Sequence, residues 1–188
     1  MKISPIRCAM WALAWLPAVP AFAAPCDSLS ALALKDATVT GAQVVPAGQF
    51  SPPGERQGGG ANPYKDLPGF CRVAATLTPT NDSDIKVEVW LPANGWNGKF
   101  QAVGNGGWAG TISYAAMADA LRGGYATAST DTGHVGGRGT FALDHPEKLI
   151  DFAWRSEHDM TVKAKAVIQA FYGSAPQLSY WNGCSTGG

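Results

Sequence analysis

Charge is scarce in this chain. Only 15 % of its 188 residues are charged, with 14 basic and 14 acidic residues in balance. No basic patch or charge run breaks that balance, which excludes a nucleic acid or an anionic membrane surface as the expected partner. Histidine is scarcer still. His134, His145 and His158 show no ligand spacing, and no Asp-rich calcium loop is present, so the sequence assembles no metal set. Membrane-length apolar runs are missing as well. The stretch from Cys8 to Val19 is too short, and too marked by Pro17 and Pro20, to span a bilayer. Internal repeats are absent.

The same short run has another reading. Lys2 and Arg7 precede it and Ala21-Phe22-Ala23 follows it as an A-x-A site, so residues 1–23 are expected to be a secretory signal peptide. Pro25 before Cys26 argues against a lipoprotein. The expected location is secreted or periplasmic. Without Lys2 and Arg7, 12 basic residues face 14 acidic ones, a formal charge of −2. Residues 24–188 suffice for one sizeable core. Three cysteines remain in that stretch, an odd number for an oxidising compartment. Cys26 and Cys71 can pair, tying the N-terminal arm to a strand. Cys184 is then either a buried free thiol or half of a bridge whose partner lies beyond Gly188.

Turn residues divide the chain into elements. Asp27 to Leu34 reads as a short helix capped by Asp27, followed by a β-prone stretch at Thr38 to Val45. Gly48 to Leu67, rich in Gly, Pro, Gln and Asn, reads as a surface loop. Cys71 to Thr78 and Ile85 to Leu91 are strands joined by the polar turn Thr80-Asn81-Asp82-Ser83, and so an antiparallel hairpin. Beyond Pro92 strands and helices alternate. Lys99 to Val103 is a strand, Ser113 to Leu121 a helix and Tyr125 to Ser129 a strand. Pro146 to Tyr172 is the longest helical region, with Phe152, Met160, Val167 and Phe171 as buried candidates, and Leu178 to Asn182 is a strand. This is an α/β pattern, a mostly parallel sheet with an antiparallel lead-in.

The last strand runs into Gly183-Cys184-Ser185-Thr186-Gly187, which fits G-x-S-x-G, the nucleophile elbow of α/β-hydrolases. Side chains at the two glycines would clash with the strand-to-helix turn that pushes the serine hydroxyl outward. An earlier strand ends in a second glycine-rich turn, Gly104-Asn105-Gly106-Gly107. In such folds the oxyanion hole takes one backbone N–H from the residue after the nucleophile, here Thr186. The other comes from the loop after an earlier strand, where Gly106 or Gly107 suits the role. The plainer reading is that both are only tight turns. In the Ser, Asp, His order of these enzymes none of the three histidines should be the base, because all precede Ser185. His134, after Thr130-Asp131-Thr132-Gly133, is a site-lining candidate or a hydrogen-bonded loop anchor. Trp90, Trp96, Trp108 and Trp181 are most simply core or loop anchors, and Trp108 is also placed to touch an aromatic acyl group.

Two readings compete with this one. Gly104-Asn105-Gly106-Gly107-Trp108-Ala109 followed by Asp131 outlines a dinucleotide fingerprint, and hence an oxidoreductase using NAD or FAD. An exported chain meets little free dinucleotide, and that reading leaves Ser185 and Cys184 unused. A non-catalytic secreted binding module is the other.

The sequence Trp181-Asn182-Gly183-Cys184-Ser185-Thr186-Gly187-Gly188 resembles the elbow of the tannase and feruloyl esterase family, with its cysteine just before the serine. Trp96-Asn97-Gly98-Lys99-Phe100, leading to Gly104-Asn105-Gly106-Gly107-Trp108-Ala109-Gly110, is similar to the family's oxyanion segment. Ala128-Ser129-Thr130-Asp131-Thr132-Gly133-His134 is similar to its next strand end. The resemblance implies an α/β-hydrolase of which residues 24–188 are the N-terminal part. It implies Ser185 as nucleophile, Thr186 and Gly106 as oxyanion donors, and Gly107, Trp108 and His134 near the site. It implies an N-terminal disulfide at Cys26 and Cys71, and for Cys184 a bridge to a cysteine following the catalytic histidine. A lid domain, often carrying calcium, and the catalytic Asp and His would come after Gly188, with no cofactor in this chain. The implied substrates are small aromatic esters: hydroxycinnamoyl, galloyl or terephthalate monoesters. The 188-residue chain by itself is expected to be inactive, and its oligomeric state is left open.

Overall fold

The structure, a computed structural model, describes residues 23–54 and 62–188. The expected signal peptide, up to residue 22, lies outside the described residues. Six strands form one sheet: β1 (Ala37–Val45), β2 (Phe70–Leu77), β3 (Ile85–Pro92), β4 (Lys99–Val103), β5 (Ala126–Thr130) and β6 (Leu178–Asn182), in the spatial order β1-β2-β3-β5-β4-β6. The antiparallel lead-in takes in β1, β2 and β3, and β3 is also antiparallel to β5. Only β5, β4 and β6 are parallel, so the described sheet is mixed, and its parallel part is the part that leads into the G-x-S-x-G turn.

Parallel neighbours need crossovers, and the two crossovers cover opposite faces of the sheet. Helix α1 (Tyr114–Arg122) links β4 to β5 and packs Met117, Ala118 and Leu121 against Phe70, Trp90 and Val103. The β5-to-β6 crossover begins as α2 (Pro146–Ile150), passes through a π-helical turn at Asp151–Arg155 and continues as α3 (Ser156–Tyr172). Met160, Ala164, Val167, Ile168 and Phe171 of α3 pack on Ile85, Val87, Val89, Phe100 and Ala102. Phe152, expected in this core, is only half-buried and faces another aromatic group described below. Among the described residues no helix is long and apolar enough to cross a membrane.

β3 alternates as its sequence predicts, yet both of its faces are buried. Ile85, Val87 and Val89 lie under α3, and Trp90 lies on the α1 side. Glu88 shares that second face and is kept by full pairing: it holds Arg72 bidentately, and accepts from Trp90 Nε1 (2.8 Å) and from the Tyr114 hydroxyl (3.0 Å). A buried carboxylate is tolerated when partners surround it in this way.

Two expectations need correction. The segment from Gly48 to Leu67 is no mere surface loop. Phe50, Tyr64 and Leu67 are buried, and Phe50 meets Trp90 edge-on at 4.4 Å, so the loop supplies the lid of the α1-side core. Asp27 is not a cap. A 3-10 turn at Cys26–Ala31 starts after Pro25, whose carbonyl accepts from Ser28 Oγ at 2.6 Å. Cys26 is bonded to Cys71 of β2.

Candidate active site

β4 and β6 are parallel neighbours that end level, with Val103 opposite Asn182. Gly104 N–H donates to the Asn182 carbonyl at 3.0 Å, and both chains then turn sharply at the carboxyl end of the sheet. After β6 the backbone enters a 3-10 turn at Ser185–Gly187, closed by Gly187 N–H onto the Cys184 carbonyl (3.1 Å). Ser185 has φ 58°. A left-handed serine costs on the order of 1 kcal/mol, and such strain gathers at functional turns. The turn leaves Ser185 exposed.

The glycines of the motif are required by close approach. A Cβ on Gly187 would collide with the backbone of Asn105, and one on Gly183 or Gly104 would run into the Gly187 carbonyl. The elbow and the 104–107 turn therefore meet backbone to backbone at these glycines. Gly106 passes close enough for an added Cβ to sit 3.8 Å from the Cys184 carbonyl oxygen. No backbone carbonyl among the described residues accepts from the N–H groups of Gly106, Gly107 or Thr186. Thr186 Oγ1 donates to the Gly107 carbonyl at 2.8 Å. Cys184 is a free thiol among the described residues, and it is exposed.

Behind the 104–110 loop stands the turn after β5. Asp131 Oδ1 accepts from Lys86 N–H and Gly133 N–H, each at 2.9 Å. Burial pushes the Asp131 carboxyl up to about 6, against the pull of those two N–H groups. Thr132 is itself left-handed (φ 58°), held by its Oγ1 donating to the Asp131 carbonyl at 2.7 Å. This turn presents His134, which is buried and stacks on Phe141 at 3.8 Å between ring centroids. Its Nε2 lies 2.9 Å from the Trp108 carbonyl and so carries the proton donated there. His134 thus anchors the glycine loop. Trp108 is 45 % exposed and stacks on Phe152 at 4.7 Å. Asp131, His134, Phe141, Leu143 and Lys148 wall an open cleft. The other histidines are engaged elsewhere: His145 Nδ1 meets Asp82 at 2.9 Å, and His158 meets Asp159 at 3.1 Å on the exposed face of α3. Trp90 is a core residue, Trp96 stacks on Tyr172, and Trp181 Nε1 donates to the Gly187 carbonyl at 2.8 Å.

Sequence reasoning brings Ser185, Thr186, Gly106, Gly107 and Trp108 to one end of the sheet. It misses the side-chain ties. Asn105 Nδ2 donates to the Thr130 carbonyl at 2.8 Å, and its Oδ1 accepts from Ser113 Oγ at 2.7 Å. Nothing local signals either bond. The Asp131 turn had a readable cue, an Asp two residues before a glycine whose N–H it can take. That engagement also weighs against the dinucleotide reading, whose acid would have to be free for a ribose.

The sequence model of the family described as tannase and feruloyl esterase matches residues 71–188. This chain belongs to that family. It is 40 % identical over 167 residues to an uncharacterized esterase of Xanthomonas campestris pv. campestris, covering 88 % of this chain and 28 % of that one. It is 42 % identical over 122 residues to feruloyl esterase C of Talaromyces stipitatus, covering 65 % and 23 %. The crystal structure of feruloyl esterase B from Aspergillus oryzae superposes with a TM-score of 0.77 at 34 % identity, over 86 % of this chain and 32 % of that one. The chain spans less than a third of the length of each of these relatives. The tannin acyl hydrolase from Aspergillus niger, 22 % identical with a TM-score of 0.59, shares the fold.

Proposed function

We propose that this chain is the nucleophile-bearing part of an exported serine carboxylic ester hydrolase acting on esters of hydroxycinnamic, gallic or related aromatic acids. One observation carries the reading: a left-handed, exposed Ser185 at the end of a parallel strand, interlocked with a glycine turn whose Gly106 and Gly107 N–H groups donate to no backbone carbonyl among the described residues. Ser185 Oγ attacks the ester carbonyl while its proton passes to a histidine. The N–H groups of Thr186 and Gly106 receive the developing oxyanion, each such donor contributing roughly 3–4 kcal/mol to the transition state. The tetrahedral intermediate collapses, the histidine hands its proton to the departing alcohol, and an acyl-enzyme remains. Water, deprotonated by the same histidine, then attacks that acyl carbonyl and releases the acid, and the proton returns to Ser185. The histidine and its orienting aspartate are assigned to sequence beyond Gly188, where the family order of Ser, Asp, His puts them.

Cys184 is assigned as one half of a disulfide with a cysteine after that histidine, and its exposure beside the nucleophile supports the assignment. Among the described residues no group of three or more His, Cys, Asp or Glu side chains could hold a metal ion. Trp108, half-exposed and backed by Phe152, offers a face for an aromatic acyl group.

The test is hydrolysis of methyl ferulate and methyl gallate by the intact protein, with a fluorophosphonate probe mapped to Ser185. Ser185→Ala is expected to lose at least about 10⁴-fold in kcat. A protein that binds NAD, and neither hydrolyses these esters nor takes up the probe, would overturn the reading.

A further inference from the structure

We propose that the Thr186 side chain is a positioning residue, whose hydroxyl sets the two halves of the oxyanion hole at working distance from each other. The inference rests on the acyl-transfer reading above. An oxyanion hole works only when its donors sit about 2.7–3.1 Å from the place where charge develops, a tolerance of a few tenths of an ångström. Here the donors come from two separate turns, so something must fix one turn against the other.

The glycine loop is well tied, but mostly in the wrong direction for that purpose. Asn105 Nδ2 onto the Thr130 carbonyl, His134 Nε2 onto the Trp108 carbonyl and Gly110 N–H onto the Gly136 carbonyl all fasten it to the turn after β5. Toward the elbow there are two hydrogen bonds among the described residues. One is Gly104 N–H onto the Asn182 carbonyl, back where the strands end. The other is Thr186 Oγ1 onto the Gly107 carbonyl at 2.8 Å. Only the second lies out at the donors themselves. It joins the residue that supplies one donor to the residue next to the other.

Gly107 needs such a hold. It has φ 59°, nothing within 4 Å of where a Cβ would be, and no side chain of its own to narrow its backbone freedom. Its N-terminal peptide is restrained by Ala109 N–H donating to the Gly106 carbonyl at 3.2 Å. The Thr186 hydroxyl restrains the C-terminal one. A β-branched threonine has few side-chain rotamers, which makes it a stiffer tie than serine of the same reach.

The experiment compares the intact protein with Thr186→Val, which keeps shape and loses the hydroxyl, and Thr186→Ser, which keeps the hydroxyl. Thr186→Val is expected to lose roughly 10- to 30-fold in kcat and in the rate of fluorophosphonate labelling, with KM within about twofold. An aryl boronic acid, which mimics the tetrahedral adduct, should lose affinity by the same factor, while inhibition by the free aromatic acid stays unchanged. Thr186→Ser should restore most of the loss. An unchanged kcat in Thr186→Val overturns the proposal. So does a raised KM at constant kcat, which would make Thr186 a substrate contact, or an equal loss in both variants, which would make its methyl group the important part. If the unaltered protein neither takes the probe nor hydrolyses esters, it is the acyl-transfer reading that has failed.

Discussion

Two carboxyl groups outside the proposed chemistry hold protons more tightly than exposed acids do. Burial pushes Asp131 from 3.8 up to about 6 and Glu157 from 4.5 up to about 7. Between the unfolded and folded values the native state binds more protons than the unfolded chain, so stability falls as pH rises through those windows. The two residues differ in what they gain for that cost. Asp131 fixes the turn beneath the glycine loop through Lys86 and Gly133. Glu157 Oε2 is buried with no hydrogen-bond partner among the described residues. Glu157→Gln is therefore expected to add about 1–2 kcal/mol at pH 8 and little at pH 4. Urea unfolding midpoints at the two pH values check this, and an equal shift at both would show that charge burial is not the cause.

At the scale of elements, strong punctuation decided what could be read from the sequence. Lys99–Val103, Leu178–Asn182 and the helical run from Pro146 to Tyr172 have their expected bounds because Gly, Pro and Asn flank them and their apolar residues keep one period. The loop residues Phe50 and Tyr64 escaped because a Gly- and Pro-rich setting says nothing about where an isolated aromatic side chain will be buried. Of the site, the motif glycines and Ser185 were visible, since backbone crowding restricts residue type. The ties made by Thr186 Oγ1 and Asn105 Nδ2 were not, because their partners are backbone carbonyls, which every residue carries. His134 was legible as a hydrogen-bonded loop anchor, but its partner, the Trp108 carbonyl, was not, for the same reason. The arm from Cys26 to Ala31 shows the force of a single covalent tie. The Cys26–Cys71 bond closes a loop of 45 residues. Replacing both cysteines with alanine is expected to cost about 2–4 kcal/mol, read as a lower urea midpoint, and to free the arm to proteolysis. An unchanged midpoint would mean that the packing of Leu29 and the Ala24 N–H bond to the Phe171 carbonyl hold the arm down without the disulfide.

At the scale of the whole molecule, the described sheet ends in two edge strands, β1 and β6, and the second is the more apolar. β6 pairs only with β4 among the described residues, and Leu178, Tyr180 and Trp181 are 52 %, 44 % and 43 % exposed. An apolar edge strand is a template for another chain. The 188-residue chain alone is therefore expected to self-associate, and Leu178→Lys to shift it toward monomer in sedimentation velocity; a monomeric parent at tens of micromolar would show that the edge is already blunted. The same pairing has a quieter result at its other end. The two turns that carry the proposed oxyanion donors leave adjacent parallel strands in register, Val103 level with Asn182. Where the turns begin, their separation is inherited from the hydrogen-bonded spacing of any sheet, about 4.8 Å, and a slip of one residue would displace one turn by about 3.3 Å, beyond what the Thr186 hydroxyl could bridge further out. The proposed reaction centre would then carry a built-in ruler, which leaves surrounding loops free to diverge while the spacing at the base of the two turns stays the same.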